Sequence, residues 1–316
     1  MVVILSWHKD VHMSFVTRHL TVPYVVIDAA DILAGKEFSI RIHNDHSTFT
    51  VDGHAIRDVT AVWNRRLAYF RPEDLPVADH FKEYSQRTLA RFKDFLYSRF
   101  PEAFWLPDPF QERRAEDKMW QLECAARAGL RVPDTMVTTS EAVARDFLRS
   151  QEAAVAKPID AGYYEKGGKA YGFYTSRIKQ DADLQGLHFA PPIIQQAVEL
   201  GIDIRITVVG EQVFAATVSS KEDVSRPHVR DFRASNDDPE RKIEAIALPD
   251  RVARQCVAVV KALGLHFGAI DMIRDKRGEY WFLENNPNGQ WAFVELATGQ
   301  PIGKAIAALL TAPRQG

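Results

Sequence analysis

The sequence predicts an α/β protein divided into two or three lobes. Its 316 residues are enough to bury a large core. Short apolar runs alternate with stretches of helical periodicity along the first third, the pattern of a layered α/β lobe. In the last third, GAIDMIRDKRGEYWFLENNPNGQW, from Gly268 to Trp291, sets two strand-like runs around a tight polar turn.

Residues 1–109 form the first lobe. Val2-Val3-Ile4-Leu5 reads as a buried strand, residues 12–20 as a helix and residues 22–28 as a second strand. A hairpin is expected over 39–42 and 48–51, another buried strand over 60–64 and a helix over 76–100. The strand at 60–64 runs into Trp63-Asn64-Arg65-Arg66. Two adjacent arginines at a strand end suit a forked clamp on a carboxylate or phosphate, or equally a solvated turn with two surface cations. His8 and His12 are four apart, but Lys9 stands where a zinc-protease helix needs its glutamate, so they read as surface or capping histidines.

Residues 110–196 form the second lobe. One helix is expected over 111–129 with Gly129 as its stop, then a strand over 131–137 and a helix over 140–149 capped by Ser140. In Ala153-Ala154-Val155-Ala156-Lys157-Pro158 a lysine ends an otherwise apolar strand, where it needs an anionic partner. Residues 160–174, with Gly162, Gly167, Gly168 and Gly172, read as a loop able to offer backbone N–H groups to phosphates. The Gly-Lys-Ser/Thr order of a Walker loop is absent. Residues 192–198, PIIQQAV, form a strand that leads out of the lobe.

Residues 197–316 form the third lobe. The run from Asp203 to Val209 alternates, which puts Asp203, Arg205 and Thr207 on one face, and residues 212–219 complete a hairpin. Residues 221–238 are polar and of mixed charge, as in a loop that covers a site. An amphipathic helix follows over 251–263, and an apolar helix over 301–310 closes the chain. With the later hairpin centred on Lys276-Arg277, Asp271 falls opposite Phe282, and Glu284 and Asn286 share the face of Phe282. Asp271 and Glu284 are then diagonal neighbours, about 7–8 Å apart at the backbone. Their strands also carry Ile270, Met272, Trp281 and Leu283, and charged groups seldom enter such strands unpaired. Asp271, Glu284 and Asn286 together offer hard oxygen donors, the set that suits magnesium.

A net charge of −2 gives no general pull toward nucleic acid or an anionic membrane, so neither is an expected partner. Cys124 and Cys256 lie in helix-like apolar patterns, consistent with packing in a reducing, cytoplasmic setting. No stretch approaches the length of a membrane span, and the N-terminus lacks a signal-type apolar core.

Asp271 with Glu284-x-Asn286 resembles the magnesium signature of the ATP-grasp superfamily, the carboxylate–amine ligases. The longer run FLENNPNGQW, from Phe282 to Trp291, is most similar to one branch, the graspetide or microviridin-type maturases of ribosomal peptides. Trp63-Asn64-Arg65-Arg66 and Asp203-Ile204-Arg205 resemble further motifs of that branch, and the likeness extends over most of the chain. Asn285 departs from it, since an aliphatic residue is usual there. The resemblance implies an ATP-grasp fold with an N-terminal pre-ATP-grasp lobe and ATP held between the central and C-terminal lobes. It implies that Lys118 meets the α-phosphate and Lys157 the nucleotide, with Gly167 and Gly168 in the phosphate loop. The Gln195-Gln196 to Val198 backbone would read the adenine amino group and Glu199 would hold the ribose. Arg205, beside Asp203, would face the terminal phosphate, where charge builds during transfer. Arg233 is a second basic group directed at nucleotide or substrate. Arg65 and Arg66 would contact an acidic substrate or acyl phosphate. ATP and Mg2+ are the implied cofactors.

Three functions compete on these residues. One is a maturase that joins Asp or Glu side chains to Thr, Ser or Lys within a ribosomal precursor peptide carrying a leader. Another is a ligase that adds an amino acid to a protein C-terminus or a small carboxylate. The third is a non-catalytic nucleotide-binding scaffold, against which the intact candidate metal ligands argue. A homodimer is among the expected assemblies.

Overall fold

The computed structural model describes residues 1–44, 46–67, 75–159, 163–166, 169–172, 175–198, 201–219 and 242–313, with backbone alone at 29, 66, 163–166 and 169–172. Among these residues the N-terminal part runs β1 (Val2–Ser6), α1 (Val11–Thr17), β2 (Tyr24–Ile27), α2 (Ala29–Leu33), β3 (Phe38–His43), β4 (His46–Val51), β5 (His54–Ala55), β6 (Ala61–Arg66), α3 (Asp79–Tyr97) and β7 (Phe104–Leu106). Strands β2, β1, β6 and β7 form a parallel sheet in that order. All of β1 is buried, as a parallel strand covered on both faces must be. The strands β3, β4 and β5 make a separate antiparallel sheet.

The middle part contains α4 (Pro109–Ala115), α5 (Lys118–Arg127), β8 (Thr135–Met136), α6 (Glu141–Ser150), β9 (Ala154–Lys157), β10 (Tyr163–Lys166), β11 (Lys169–Gly172), β12 (Ser176–Ile178) and β13 (Ile193–Gln196). Strands β12, β9, β13 and β8 form an antiparallel sheet backed by α6. Two expectations change here. The single helix over 111–129 is two helices, because the Asp117 carboxylate accepts the N–H groups of Met119 and Trp120 and starts a new one. The expected loop over 160–174 contains an antiparallel hairpin of β10 and β11, while Gly162, Gly167 and Gly168 lie outside the described residues.

The C-terminal part comprises β14 (Ile202–Val209), β15 (Gln212–Ser219), β16 (Lys242–Ile246), α7 (Asp250–Ala262), β17 (Phe267–Arg274), β18 (Tyr280–Asn286), α8 (Ala292–Thr298) and α9 (Ile302–Thr311). Its antiparallel sheet has the order β16-β15-β14-β17-β18. Strand alternation divides this sheet's residues between two cores. Ile204, Ile206, Val208, Ile270 and Met272 pack with α5 and α7. Val209, Phe214, Ala216, Phe267 and Ala269 pack with α8, α9 and residues of the N-terminal sheet, among them Val2, Ile4, Trp63 and Leu106. The first and third lobes therefore share one core. No helix among the described residues is long and apolar enough to cross a membrane.

Candidate active site

Arg205 on β14 lies opposite Asp271 on β17, and Asp271 lies opposite Glu284 on β18. Three charged side chains thus stand in a row across three strands. Arg205 Nη1 donates to Asp271 Oδ1 at 2.7 Å, with both residues buried, and its Nη2 donates to the Gln290 carbonyl at 2.9 Å. The register differs from the one expected. A shift between Asp271 and Met272 leaves Leu283 as an extra residue on β18, so Phe282 pairs with Met272 and Glu284 directly with Asp271. The two acids are cross-strand partners rather than diagonal neighbours, while Phe282 joins Ile270 and Met272 in the apolar core and does not share their face.

Asn285 and Asn286 diverge. Asn285 pairs with Ile270 and is buried, and a Cβ at Gly268 would run into its Oδ1 and into Val260. Neither polar atom of its side chain has a hydrogen-bond partner among the described residues. Its backbone is gripped by Gln121 of α5, whose Oε1 accepts the Asn285 N–H at 2.9 Å and whose Nε2 donates to the Asn285 carbonyl at 2.7 Å. Asn286 pairs with Ala269, on the Asp271 side of the sheet, and its exposed amide Oδ1 accepts the Asn288 N–H at 3.1 Å. Among the described residues no three His, Cys, Asp or Glu side chains are grouped to hold a metal. A cation site here must therefore use the amide oxygen as well as the two carboxylates, and that donor set fits magnesium.

The loop after β18 is held by the N-terminal lobe. Asn288 Nδ2 donates to the carbonyls of Asn64 and Arg65 and to Glu112 Oε1, at 3.0, 2.5 and 2.9 Å. Its Oδ1 and its carbonyl accept from Arg65 Nη1 at 2.6 and 2.5 Å. Arg65 is 2% exposed, and its Nε lies 3.2 Å from Asp10 Oδ2. The ring of His12 touches Arg65 Nη2, its Nδ1 meets Asp10 Oδ1, and its Nε2 accepts the Trp291 N–H at 3.2 Å. The expectation for His12 is corrected. His12 is buried between the two segments rather than a surface or capping residue, because Asp10 and Trp291 contact both of its nitrogens. Arg65 reaches Asp10, His12 and Asn288, so it joins the first strands to the loop after β18 rather than ending in a solvated turn. Gly289 has no room for a side chain, since a Cβ would sit 2.5 Å from Ala269 Cβ and 2.8 Å from Arg205 Nη2.

Burial sets the electrostatics of this joint. It pushes the Glu112 carboxyl up to about 7, and the hydrogen bond from Asn288 only partly offsets it. Burial also opposes ionisation of Asp10, but the hydrogen bond from His12 and the charge of Arg65 outweigh it and hold Asp10 at about 2.

The remaining expected residues belong to the middle lobe and its exit. Lys118 opens α5, and its Nζ donates to the Pro158 carbonyl at 3.1 Å, one residue beyond the buried Lys157 at the end of β9. Helix α5 thus holds β18 through Gln121 and reaches β9 through Lys118. Gln195 Nε2 donates to Thr135 Oγ1 at 2.7 Å, and the Gln196 N–H donates to the Asp134 carbonyl at 2.8 Å. Val198 is buried, and Asp203 is half-buried on the Arg205 face of β14. The Arg66 side chain, Gly167, Gly168, Glu199 and Arg233 lie outside the described residues. Sequence reasoning missed Asp10, Glu112 and Asn288 as parts of the site. Asn288 stood within a run already singled out, but Glu112 is marked by no local pattern.

A family model described as the RimK-like ATP-grasp domain matches residues 115–310. A probable alpha-L-glutamate ligase of Enterobacter sp. (strain 638) is 28% identical over 202 residues, which span 61% of this chain and 63% of the relative. A solved RiPP-associated ATP-grasp ligase of Chryseobacterium gregarium, in complex with ADP and a leader and core peptide, matches with a TM-score of 0.87 at 23% identity, covering 99% of this chain and 97% of that one. Macrocyclase MdnC of Microcystis aeruginosa MRC, bound with precursor peptide MdnA, matches with a TM-score of 0.83 at 24% identity over 99% of both chains. These two likenesses extend the shared fold through the N-terminal lobe. The family match covers more than half of the sequence, and the protein belongs to the RimK-like ATP-grasp family.

Proposed function

We propose that this protein is an ATP-dependent carboxylate ligase that makes side-chain ester or amide links in a ribosomal precursor peptide with a leader. The observation that carries the ligase reading is the row of Arg205, Asp271 and Glu284 completed by Asn286. In this reading Asp271, Glu284 and Asn286 hold magnesium. When bound, that ion neutralises phosphate charge and orients the ATP phosphates. Lys118, Lys157, Gly167 and Gly168 hold the phosphates, with Lys118 and Lys157 on neighbouring ends of α5 and β9. The backbone of Gln195, Gln196 and Val198 lies against adenine, and Glu199 against ribose. Asp203 and Arg205, together with Arg233 and Arg66, line the path between the terminal phosphate and the substrate. Arg65 acts as a tether.

A substrate carboxylate attacks the γ-phosphorus, and ADP leaves. A hydroxyl or amine then attacks the acyl phosphate; inorganic phosphate leaves, and the nucleophile's proton passes to solvent. Charge development rather than proton abstraction dominates the first step, and this reading assigns its stabilisation to Arg205. The buried, reduced cysteines and the use of ATP suit a cytoplasmic setting.

The peptide assignment is supported by the two full-length structural likenesses, both to ligases captured with peptide. The glutamate-ligase relative favours a second reading, transfer of a free amino acid to a carboxylate. Mass spectrometry of a precursor peptide incubated with protein, magnesium and ATP separates them. The peptide reading expects loss of one water per bond with one ADP released, abolished in Glu284→Gln. An unmodified peptide with ADP release driven by a free amino acid would establish the second reading instead.

A further inference from the structure

We infer that Asn288 is a positioning residue for the cation site, and that the N-terminal lobe sets its position through Arg65. The inference rests on the reading of Asn286 as a metal ligand. The Asn288 backbone N–H donates to Asn286 Oδ1 at 3.1 Å, which fixes the amide's direction and leaves that oxygen a second lone pair. The next residues reach the other side of the site. Gly289 lies against the Arg205 guanidinium, and the Gln290 carbonyl accepts from it at 2.9 Å. One short loop therefore orients both a candidate ligand and the candidate phosphate-facing cation.

Asn288 is the point at which this loop is pinned. Its Nδ2 bonds to Asn64, Arg65 and Glu112, and its Oδ1 to Arg65. Arg65 is itself fixed by Asp10 and His12, and His12 takes the Trp291 N–H at the far end of the loop. Trp63-Asn64-Arg65-Arg66 and Asn286-Pro287-Asn288-Gly289-Gln290-Trp291 are thus two halves of one joint, although 223 residues separate Arg65 from Asn288. Groups that orient metal ligands in this way typically change metal affinity or activity by about 10–100-fold when removed.

The test is Mn2+ binding, followed by electron paramagnetic resonance in the presence of a non-hydrolysable ATP analogue. It compares the native chain with Asn288→Ala, Arg65→Lys and Asn286→Ala. Near-UV circular dichroism reports folding, and calorimetry reports analogue binding without metal. Weaker Mn2+ binding by about 10–100-fold in both Asn288→Ala and Arg65→Lys, with metal-free analogue binding retained, is the expected result. Unchanged Mn2+ affinity in those two variants, with a loss in Asn286→Ala, overturns the inference and leaves the ligand reading standing. Unchanged affinity in Asn286→Ala overturns the ligand reading, and the inference with it. If Asn288→Ala does not fold, Arg65→Lys decides the matter, because it keeps the charge but its single nitrogen cannot hold Asn288, His12 and Asp10 together.

Discussion

Replacing Glu112 with glutamine should flatten the pH dependence of this protein's stability. Burial raises the folded-state carboxyl from 4.5 to about 7. Between those values the native chain holds a proton that the unfolded chain has released. Stability from this group is therefore fully present below about 4.5 and lost as pH rises through about 7. The gap, 7 − 4.5 = 2.5 pH units, corresponds at about 1.4 kcal/mol per unit to about 3 kcal/mol. The assay is urea denaturation of the native chain and Glu112→Gln from about pH 5 to about pH 8. Over that range the stability of the native chain relative to the variant should fall by about 2–3 kcal/mol. Asp10 is common to both proteins, so its own titration largely cancels in the difference. A difference that stays constant, or rises with pH, would refute the assignment of a raised carboxyl at this joint.

Other substitutions probe other contacts. Gly289→Ala forces a methyl group against Ala269 and the Arg205 guanidinium, so it should destabilise by about 1–3 kcal/mol and sharply lower ADP release; native-like turnover in a coupled ADP assay would count against the close approach. Asn285→Val removes two buried polar atoms that have no partner among the described residues and should stabilise by about 1 kcal/mol, read as a higher urea midpoint. A lower midpoint would mean that the amide has a partner after all. Glu295→Ala strips the acceptor from Arg18 and from the buried Gly303 N–H, where α1, α8 and α9 meet. Thermal melts should show a loss of about 1–3 kcal/mol, and no change would show the contact to be energetically silent.

The face carrying Asp203, Arg205 and Thr207 was legible because strand alternation is a local property. The same holds for the strand–turn–strand around Lys276-Arg277 and the lysine that ends β9. The bulge at Leu283 was not legible, since no glycine marks it and a one-residue register shift is decided by packing of Phe282 on the far side of the sheet. The burial of His12 and Arg65 was equally hidden: their decisive partners, Trp291 and Asn288, lie 279 and 223 residues away. Two errors had visible signals. Asp117-Lys118 is a helix start inside the stretch 111–129 that was expected as one helix. The Gly167-Gly168 pair between Tyr163–Lys166 and Lys169–Gly172 is a hairpin signal, overlooked because glycines near Lys157 suggested a phosphate loop.

The core shared by the first and third lobes constrains how this chain can be recombined. Its boundary near residue 109 is a seam in the sequence but not in the packing, for Val2, Ile4 and Trp63 lie in the same cluster as Trp291, Ile302 and Ile306. A chimera that takes residues 1–109 from another parent would graft half of a jigsaw onto a foreign remainder, besides severing the grip of Arg65 on Asn288. Exchange of residues 110–196 would cut a shared core in the same way, because Leu122, Cys124 and Ala125 of α5 pack with Ile204, Ile206 and Val208 of β14, so the self-contained packing unit of this scaffold is the smaller cluster of α6 with Ala154 and Ile194.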